Sequence, residues 1–172
     1  ANNLAEHLTK YWKLAVANFE AEEWPIAMFL AITLIEEVGK VKLVRDATTG
    51  SGLDMKAFRN HERKYALAVY CTLVVNARVA RIYGAEETKF AQWFRDGDLF
   101  KMRNQALYAE FKNGGVVFPD QVVRKDDAFL LVCIGGEILA EIQGEWLGTG
   151  PEQWEQQIRE VDEFRGRHLV EK

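Results

Sequence analysis

The amino-acid sequence predicts an all-α fold: a bundle of about six to seven helices that forms a single domain over residues 1–172. Apolar residues recur three and four positions apart through most of the chain, which is the period of an amphipathic helix. Short connections rich in glycine and proline separate these segments, as is typical of helix bundles. The stretch from Pro25 to Val44 is apolar on all sides at its start, as expected of a central, buried helix.

The first two predicted helices cover Asn3 to Glu20 and Pro25 to about Asp46. The first carries one apolar stripe, formed by Leu4, Leu8, Tyr11, Trp12, Ala15 and Phe19. Pro25 suits the first turn of the second helix, because a backbone N–H at that position would have no partner and proline carries none. The run from Thr48 to Gly52 then predicts a flexible loop.

Three more helices are predicted in the middle of the chain. One spans Met55 to Ile82, with Asp54 as its N-cap and Gly84 as the residue that stops it. A short amphipathic helix covers Glu86 to Arg95. A further helix begins at Asp98 and carries Leu99, Met102, Leu107 and Tyr108.

One long irregular loop is predicted near residues 112–125, because two adjacent glycines and Pro119 disfavour helix there. Val116 and Val117 give a weak strand signal within it. Asp126 and Asp127 then begin a long apolar helix that reaches about Trp146.

Two glycines, Gly135 and Gly136, lie in the middle of that helix and cost about 1 kcal/mol each relative to alanine. Either a close helix crossing or a kink explains them. Pro151 begins the last helix, and the tail from His168 to Lys172 is expected to fray.

Composition excludes several classes of function. The net charge of −4 argues against a broad surface for nucleic acid or membrane, although a small local basic site remains compatible with it. The polar N-terminus does not resemble a signal peptide, and no apolar run approaches the roughly 18–20 residues of a membrane span. Cys71 and Cys133 are expected to be buried free thiols in a reducing compartment. We therefore expect a cytoplasmic protein without a membrane partner.

Metal and phosphate-loop motifs do not occur. The segment that begins at His61 reads H-E-R-K-Y rather than the zinc motif H-E-x-x-H. No E-x-x-H sequence occurs, which disfavours a di-iron bundle. The sequence thus predicts neither a metal nor another cofactor.

Charged residues follow the apolar start of the second helix. Lys40 lies four positions after Glu36 and three after Glu37, so either carboxylate can pair with it on one helix face. Such pairs occur on exposed surfaces, where they contribute little stability. Apolar residues continue beyond Lys40, which favours partial burial of the group.

Two further groups lie on other helices. His61 is on the apolar side of the third helix, with Lys64 three positions later, and a structural histidine is the ordinary interpretation. Asn104 and Tyr108 are four positions apart beside Arg103, and the ordinary interpretation is a surface arginine with Tyr108 in the core. No reaction follows from these residues alone.

Together the three groups resemble the AbiV family of abortive-infection proteins over about Trp12 to Glu141. The motifs that carry the resemblance are Glu36-Glu37-Val38-Gly39-Lys40, His61-Glu62-Arg63-Lys64 and Arg103-Asn104-Gln105-Ala106-Leu107-Tyr108, with Pro119 beyond. The AbiV family belongs with the HEPN-like all-α proteins, many of which are ribonucleases of toxin or anti-phage systems.

The resemblance implies a site and also a departure from it. HEPN ribonucleases share an arginine, a polar residue and a histidine four to six positions after the arginine; they act as dimers and need no metal. Arg103 and Asn104 match the first two positions, but Tyr108 stands where the histidine is expected. An unperturbed tyrosine has a pKa near 10, whereas histidine titrates near neutrality. His61 would supply the missing group if it packs beside Arg103.

Two hypotheses follow. In the first, the protein is a homodimeric phage-defence protein that cleaves RNA without a metal. Its catalytic residues would be Arg103, Asn104 and either His61 or Tyr108. The supporting residues would be Glu36, Glu37, Lys40 and Lys64. In the second hypothesis the protein is a non-catalytic interaction module, which binds a phage or host protein and arrests growth or translation.

Overall fold

A computed structural model describes residues 2–48, 52, 55–72, 77–145 and 150–169. Within these residues the chain forms ten helices and one two-stranded sheet, which confirms the all-α fold class. The elements, in chain order, are α1 (Asn2–Glu20), α2 (Trp24–Asp46), α3 (Met55–Arg59), α4 (His61–Thr72), α5 (Ala77–Tyr83), α6 (Ala85–Arg95), α7 (Asp98–Leu107), β1 (Glu110–Lys112), β2 (Gly115–Val117), α8 (Pro119–Val122), α9 (Lys125–Glu145) and α10 (Pro151–His168).

Helix α2 is the centre of the bundle, as its apolar start predicts. It packs against α1, α4, α7 and α9. Ala31, Ile32, Leu34 and Ile35 are completely buried, whereas Thr33 is half-buried and Ile26, near the start of the helix, is 46% exposed. The burial continues to Glu36, which places a carboxylate inside the bundle.

Gly136 marks a close crossing of α9 with α1 and α10, whereas a Cβ atom on Gly135 would make only ordinary contacts, the nearest 3.5 Å away on Leu34. A Cβ atom on Gly136 would lie 2.4 Å from Cγ2 of Val161 on α10 and 2.6 Å from Nε1 of Trp12 on α1. That indole Nε1 donates a hydrogen bond of 3.0 Å to the carbonyl oxygen of Val132. A close crossing, rather than a kink, therefore explains Gly136.

The predicted continuous helix from Met55 to Ile82 was wrong. Helix α3 ends at Arg59, and the side-chain oxygen of Asn60 accepts a hydrogen bond of 3.0 Å from the backbone N–H of Arg63. Asparagine stabilises helix starts in this way and is unfavourable within a helix, so the chain begins a new helix at His61. The predicted N-cap Asp54 and residues 49–51 of the predicted loop lie outside the described residues.

The predicted irregular loop contains regular structure. Strands β1 and β2 pair in antiparallel register, with Phe111 opposite Val116. Asn113 and Gly114 form the two-residue turn, with φ values of 51° and 81°. Such a left-handed turn favours the dipeptide Asn-Gly, so this dipeptide is the sequence signal from which the hairpin could have been predicted. The weak strand signal at Val116 is confirmed.

The C-terminal helix extends further than predicted. His168 is the last residue of α10, and its ring lies 5.0 Å from that of Phe19 and 4.9 Å from that of Phe164. His168 is thus packed rather than frayed, while residues 170–172 and the predicted helix end at Trp146 lie outside the described part of the chain. Cys133 is buried with a free thiol, as predicted; the side chain of Cys71 is not among those described.

A second buried carboxylate, on α9, joins this helix to α5 and α10. Glu137, with no exposed surface, accepts hydrogen bonds from Arg78 Nε at 3.2 Å and from the Tyr83 hydroxyl at 3.1 Å. Arg78 also donates to Asp162 on α10 at 2.7 Å. This network fixes α5 and α10 on α9, and no sequence motif pointed to it.

Candidate functional site

Glu36 is the centre of the cluster of charged residues, and its carboxylate contacts side chains of α4 and of its own helix α2. It is only 5% exposed. One oxygen, Oε1, accepts a hydrogen bond of 2.8 Å from Lys64 Nζ and lies 3.7 Å from Lys40 Nζ. The other, Oε2, lies 2.8 Å from His61 Nδ1 and 3.5 Å from the Tyr65 hydroxyl. We call these residues, with Arg103, the Glu36 cluster.

Glu37 belongs to the same group more loosely. Its carboxylate pairs with Lys40, and both side chains are about one-quarter exposed. Glu37 and Lys40 therefore form a surface ion pair, which was one of the two interpretations of this group. Glu36 instead belongs to a buried ion pair.

Gly39 allows α4 to approach closely enough to reach Glu36. A Cβ atom at Gly39 would lie 2.0 Å from the backbone carbonyl oxygen of Lys64, which no side chain tolerates. The two backbones therefore touch at this crossing. Because residues three and four apart share a helix face, Glu36 then meets His61, Lys64 and Tyr65 directly.

Arg103 approaches the cluster from α7. Its Nε lies 3.9 Å from Glu36 Oε2, too far for a hydrogen bond, and its guanidinium lies 5.1 Å from the ring centre of Phe29. This Nε is buried and has no hydrogen-bond partner among the described residues. Since a guanidinium carries five N–H donors, Arg103 is held in position with donors left to bind an anion.

His61 lies between Glu36 and Phe100. Its ring is tilted by 32° to the Phe100 ring, with the ring centres 4.9 Å apart, and its side chain is 36% exposed. A carboxylate only accepts hydrogen bonds, so the proton of the contact with Glu36 lies on His61 Nδ1. Nε2 is then the atom that remains able to accept a proton.

Asn104 and Tyr108 stand apart from these contacts. Helix α7 ends at Leu107, and Tyr108 follows it in an extended conformation with 60% of its surface exposed. The expectation of Tyr108 in the core was therefore wrong. Asn104 is half-buried next to Arg103, and its backbone carbonyl accepts a hydrogen bond of 2.9 Å from the Tyr108 N–H. Neither side chain is among those that contact Glu36.

Two aromatic residues of the site were not identified from the sequence. Phe29 lies beneath Arg103, and Phe100 lies against His61. The available signal was spacing: Phe100 lies three positions before Arg103 on α7, so both point to the same side of that helix.

Comparison with known proteins gives the family. The model of one family, the HEPN family AbiV, matches residues 1–140. The chain belongs to the AbiV family. This match includes all eight predicted site residues, ends within α9 and leaves α10 outside it. No curated protein and no solved structure matches the chain. Membership in the AbiV family implies an abortive-infection, HEPN-like function.

The electrostatics of the Glu36 cluster keep Glu36 ionised. Burial by itself raises the pKa of Glu36, but the hydrogen bonds and positive charges of Lys64 and His61 outweigh burial, and the pKa lies below its ordinary value. Burial and the charge of Glu36 raise the pKa of Tyr65, which therefore stays a neutral hydrogen-bond donor. Burial lowers the pKa of Lys40, yet its pairing with Glu37 and Glu36 leaves that pKa above the ordinary value.

The local charge is opposite in sign to that of the whole chain. Three cationic side chains, Lys40, Lys64 and Arg103, face the two carboxylates of Glu36 and Glu37. The group is therefore positive by one charge even when His61 is neutral, on a chain of net charge −4. This is the small local basic site with which the composition was compatible.

Stability should depend on pH through Glu36. Its folded-state pKa is below the unfolded value near 4.5, so its stabilising effect is present above pH 4.5 and is lost as the pH falls through the folded-state pKa. We expect the free energy of unfolding from urea titrations at pH 7, 5, 4 and 3 to fall more steeply for the native protein than for Glu36→Gln. Equal pH dependence of the two proteins would contradict this assignment. NMR titration of the native Glu36 carboxyl group gives its pKa directly.

In the ranges that the structure describes, no three His, Cys, Asp or Glu side chains lie together as metal ligands would. None of the described helices is both long and apolar enough to cross a membrane.

Proposed function

We propose that this AbiV protein is a phage-defence protein whose Glu36 cluster cleaves RNA without a metal. The observation that carries the proposal is that one buried, ionised carboxylate lies against both a partly exposed histidine and an arginine whose Nε has no hydrogen-bond partner among the described residues. HEPN ribonucleases combine an arginine with a histidine. In this chain Tyr108 occupies the position of the motif histidine, and His61 would supply the imidazole instead.

His61 is the proposed proton-transfer group. The ionised Glu36 holds the Nδ1–H of His61, in the way that a carboxylate orients the histidine of a catalytic triad. Nε2 would accept the proton of a ribose 2′-hydroxyl while that oxygen attacks the adjacent phosphorus. The bond from phosphorus to the 5′-oxygen then breaks, and this oxygen takes up a proton from His61. The products are a 2′,3′-cyclic phosphate and a 5′-hydroxyl.

Arg103 is the proposed group that stabilises the developing charge on the phosphorane. Arginine can bind a phosphate through two N–H groups, and this contact is stronger and better oriented than the contact of a lysine with phosphate. Lys40, which is partly exposed, would add positive potential, and Asn104 would orient the phosphate or its ribose. Lys64 is buried, so its role is to hold Glu36. Tyr108 takes no part in this proton transfer.

Phage protection tests the role of the site in cells. We expect Arg103→Ala to lose protection in plaque assays and Arg103→Lys to keep a part of it. Arg95→Ala is the matched control, because Arg95 is an exposed arginine at the end of α6. All variants are compared at equal protein abundance. Undiminished protection by Arg103→Ala would contradict the proposal.

Substitution of His61 separates catalysis from folding. General acid–base groups contribute about 10²- to 10⁴-fold to a rate, so we expect His61→Gln to lower RNA cleavage by at least about 10²-fold. The melting temperature should change much less, because glutamine can keep a hydrogen bond to Glu36. Cleavage by His61→Gln within a factor of three of native would rule out this proton-transfer role.

A non-catalytic interaction module is the second candidate. The observation that favours it is the burial of Glu36 and Lys64, since their ion pair joins α2 to α4 whether or not a ligand binds. The module would bind a phage or host protein and arrest growth or translation. It predicts full protection by Arg103→Ala, the reverse of the first candidate.

A further inference from the structure

The β1–β2 hairpin carries an apolar face that no described part of the chain covers. Phe111 is 76% exposed, and its cross-strand partner Val116 is 55% exposed. Phe118, directly after β2, is exposed to the same extent. A two-stranded sheet alone is marginally stable in water, and an open strand edge beside apolar residues is a template for another strand.

The register of the hairpin determines which backbone groups face its outer edge. The two-residue turn makes Lys112 and Gly115 the hydrogen-bonded pair, so the next pair, Phe111 and Val116, is not hydrogen-bonded. The N–H and C=O of Phe111 therefore point away from β2. No turn, loop or cap hydrogen bond in the described part of the chain uses them.

We propose that two copies of the chain pair through β1, antiparallel, around a twofold axis at Phe111. Each Phe111 would donate its N–H to the C=O of the other Phe111, which is the hydrogen-bonded pair of an antiparallel ladder. The two hairpins then form one four-stranded sheet, in which Phe111 and Val116 of both copies share one apolar face. Sheets of three or more strands with such a face are stable where a lone hairpin is not.

Charge complementarity selects this occupant and this direction. Glu110 and Lys112 flank Phe111 and share the opposite face of β1, where they form an ion pair. In the antiparallel pairing Glu110 of one copy faces Lys112 of the other, twice around the axis. A parallel pairing would place like charges opposite each other, which destabilises a sheet.

The proposed function includes a homodimer, and the pairing specifies how its two copies meet. The pairing rests on the proposed function only for the number of copies. Helix α7 carries Arg103 and leads through Tyr108 into β1. Tyr108 is three residues from the axis, which is about 10 Å along a strand. The two copies of α7 would therefore end on either side of the same axis.

Charge exchange tests the pairing by sedimentation. We expect the native protein to sediment as a dimer and the variants Glu110→Lys and Lys112→Glu each to dimerise at least about tenfold more weakly. The double variant E110K/K112E restores opposite charges and should dimerise like the native protein. A native protein that is monomeric at 50 µM (about 1 mg/ml), or single variants that dimerise like the double variant, would overturn the pairing.

A disulfide trap gives a second, independent test. Antiparallel hydrogen-bonded residues lie about 5.5 Å apart between Cα atoms, within disulfide range. Mild oxidation should link the Phe111→Cys variant into a covalent dimer. The native protein and the control variant Phe118→Cys should stay unlinked. Equal linkage of both variants, or none of Phe111→Cys, would overturn the proposal. These tests report association alone, so a failure of RNA cleavage leaves their outcome unaffected, and the converse also holds.

Discussion

Replacement of Glu36 by alanine is expected to lower the free energy of unfolding by about 3–5 kcal/mol, because removal of one partner leaves the other buried charge uncompensated. That uncompensated charge is the ammonium group of Lys64, which is 3% exposed and donates to Glu36 at 2.8 Å. In a chain of this size the loss corresponds to a fall in melting temperature of about 6–20 °C. Thermal melting and urea unfolding both measure it.

The neighbouring carboxylate is the matched control. Glu37 carries the same charge on the same helix, but its side chain is about one-quarter exposed and its partner Lys40 can be solvated. We expect Glu37→Ala to cost less than about 1 kcal/mol, as exposed ion pairs do. Similar losses for Glu36→Ala and Glu37→Ala would show that burial does not distinguish them. A double variant, E36L/K64L, should recover part of the loss, since apolar residues tolerate burial without a partner.

Gly39→Ala is expected to destabilise the protein by about 2 kcal/mol or more, although alanine favours helix over glycine by about 1 kcal/mol. The added Cβ would lie 2.0 Å from the carbonyl oxygen of Lys64, and a backbone atom cannot move aside as a flexible side chain can. Helices α2 and α4 must separate, which also weakens the contact between Glu36 and Lys64.

Gly166→Ala is the control for the intrinsic effect of the substitution. Gly166 lies within α10, and a Cβ there would meet nothing within 4 Å. We expect a gain of up to about 1 kcal/mol from the better helix former. A Gly39→Ala variant as stable as the native protein would contradict the close backbone contact between α2 and α4.

The apolar pattern was enough to predict the bundle and its central helix, because a helix that packs against four others must be apolar over most of its surface. Local capping was harder to predict. Asn60 stops one helix and starts the next, although the apolar spacing continues through it. The hairpin turn at Asn113 and Gly114 was a sequence signal that the adjacent glycine and proline residues obscured.

The site was predictable as a set of residues but not as an arrangement. Helical spacing relates Glu36 to Lys40, and His61 to Lys64, yet only the crossing at Gly39 brings the two pairs together. Spacing also treats Glu36 and Glu37 alike, whereas the rotation of α2 buries one and leaves the other partly exposed. The exposure of Tyr108 follows from the end of α7 one residue earlier, and no strong stop signal marks that end.

RNA cleavage in EDTA is the most direct test of the proposed site. Purified native protein, Arg103→Ala and the control Arg95→Ala are each incubated with total RNA, after circular dichroism has shown that all three are folded. The account predicts that the native and control proteins cleave RNA to 2′,3′-cyclic phosphate and 5′-hydroxyl ends, and that Arg103→Ala is slower by at least about 10²-fold. Absence of cleavage by the folded native protein, or equal cleavage by Arg103→Ala, would contradict it and favour the interaction module.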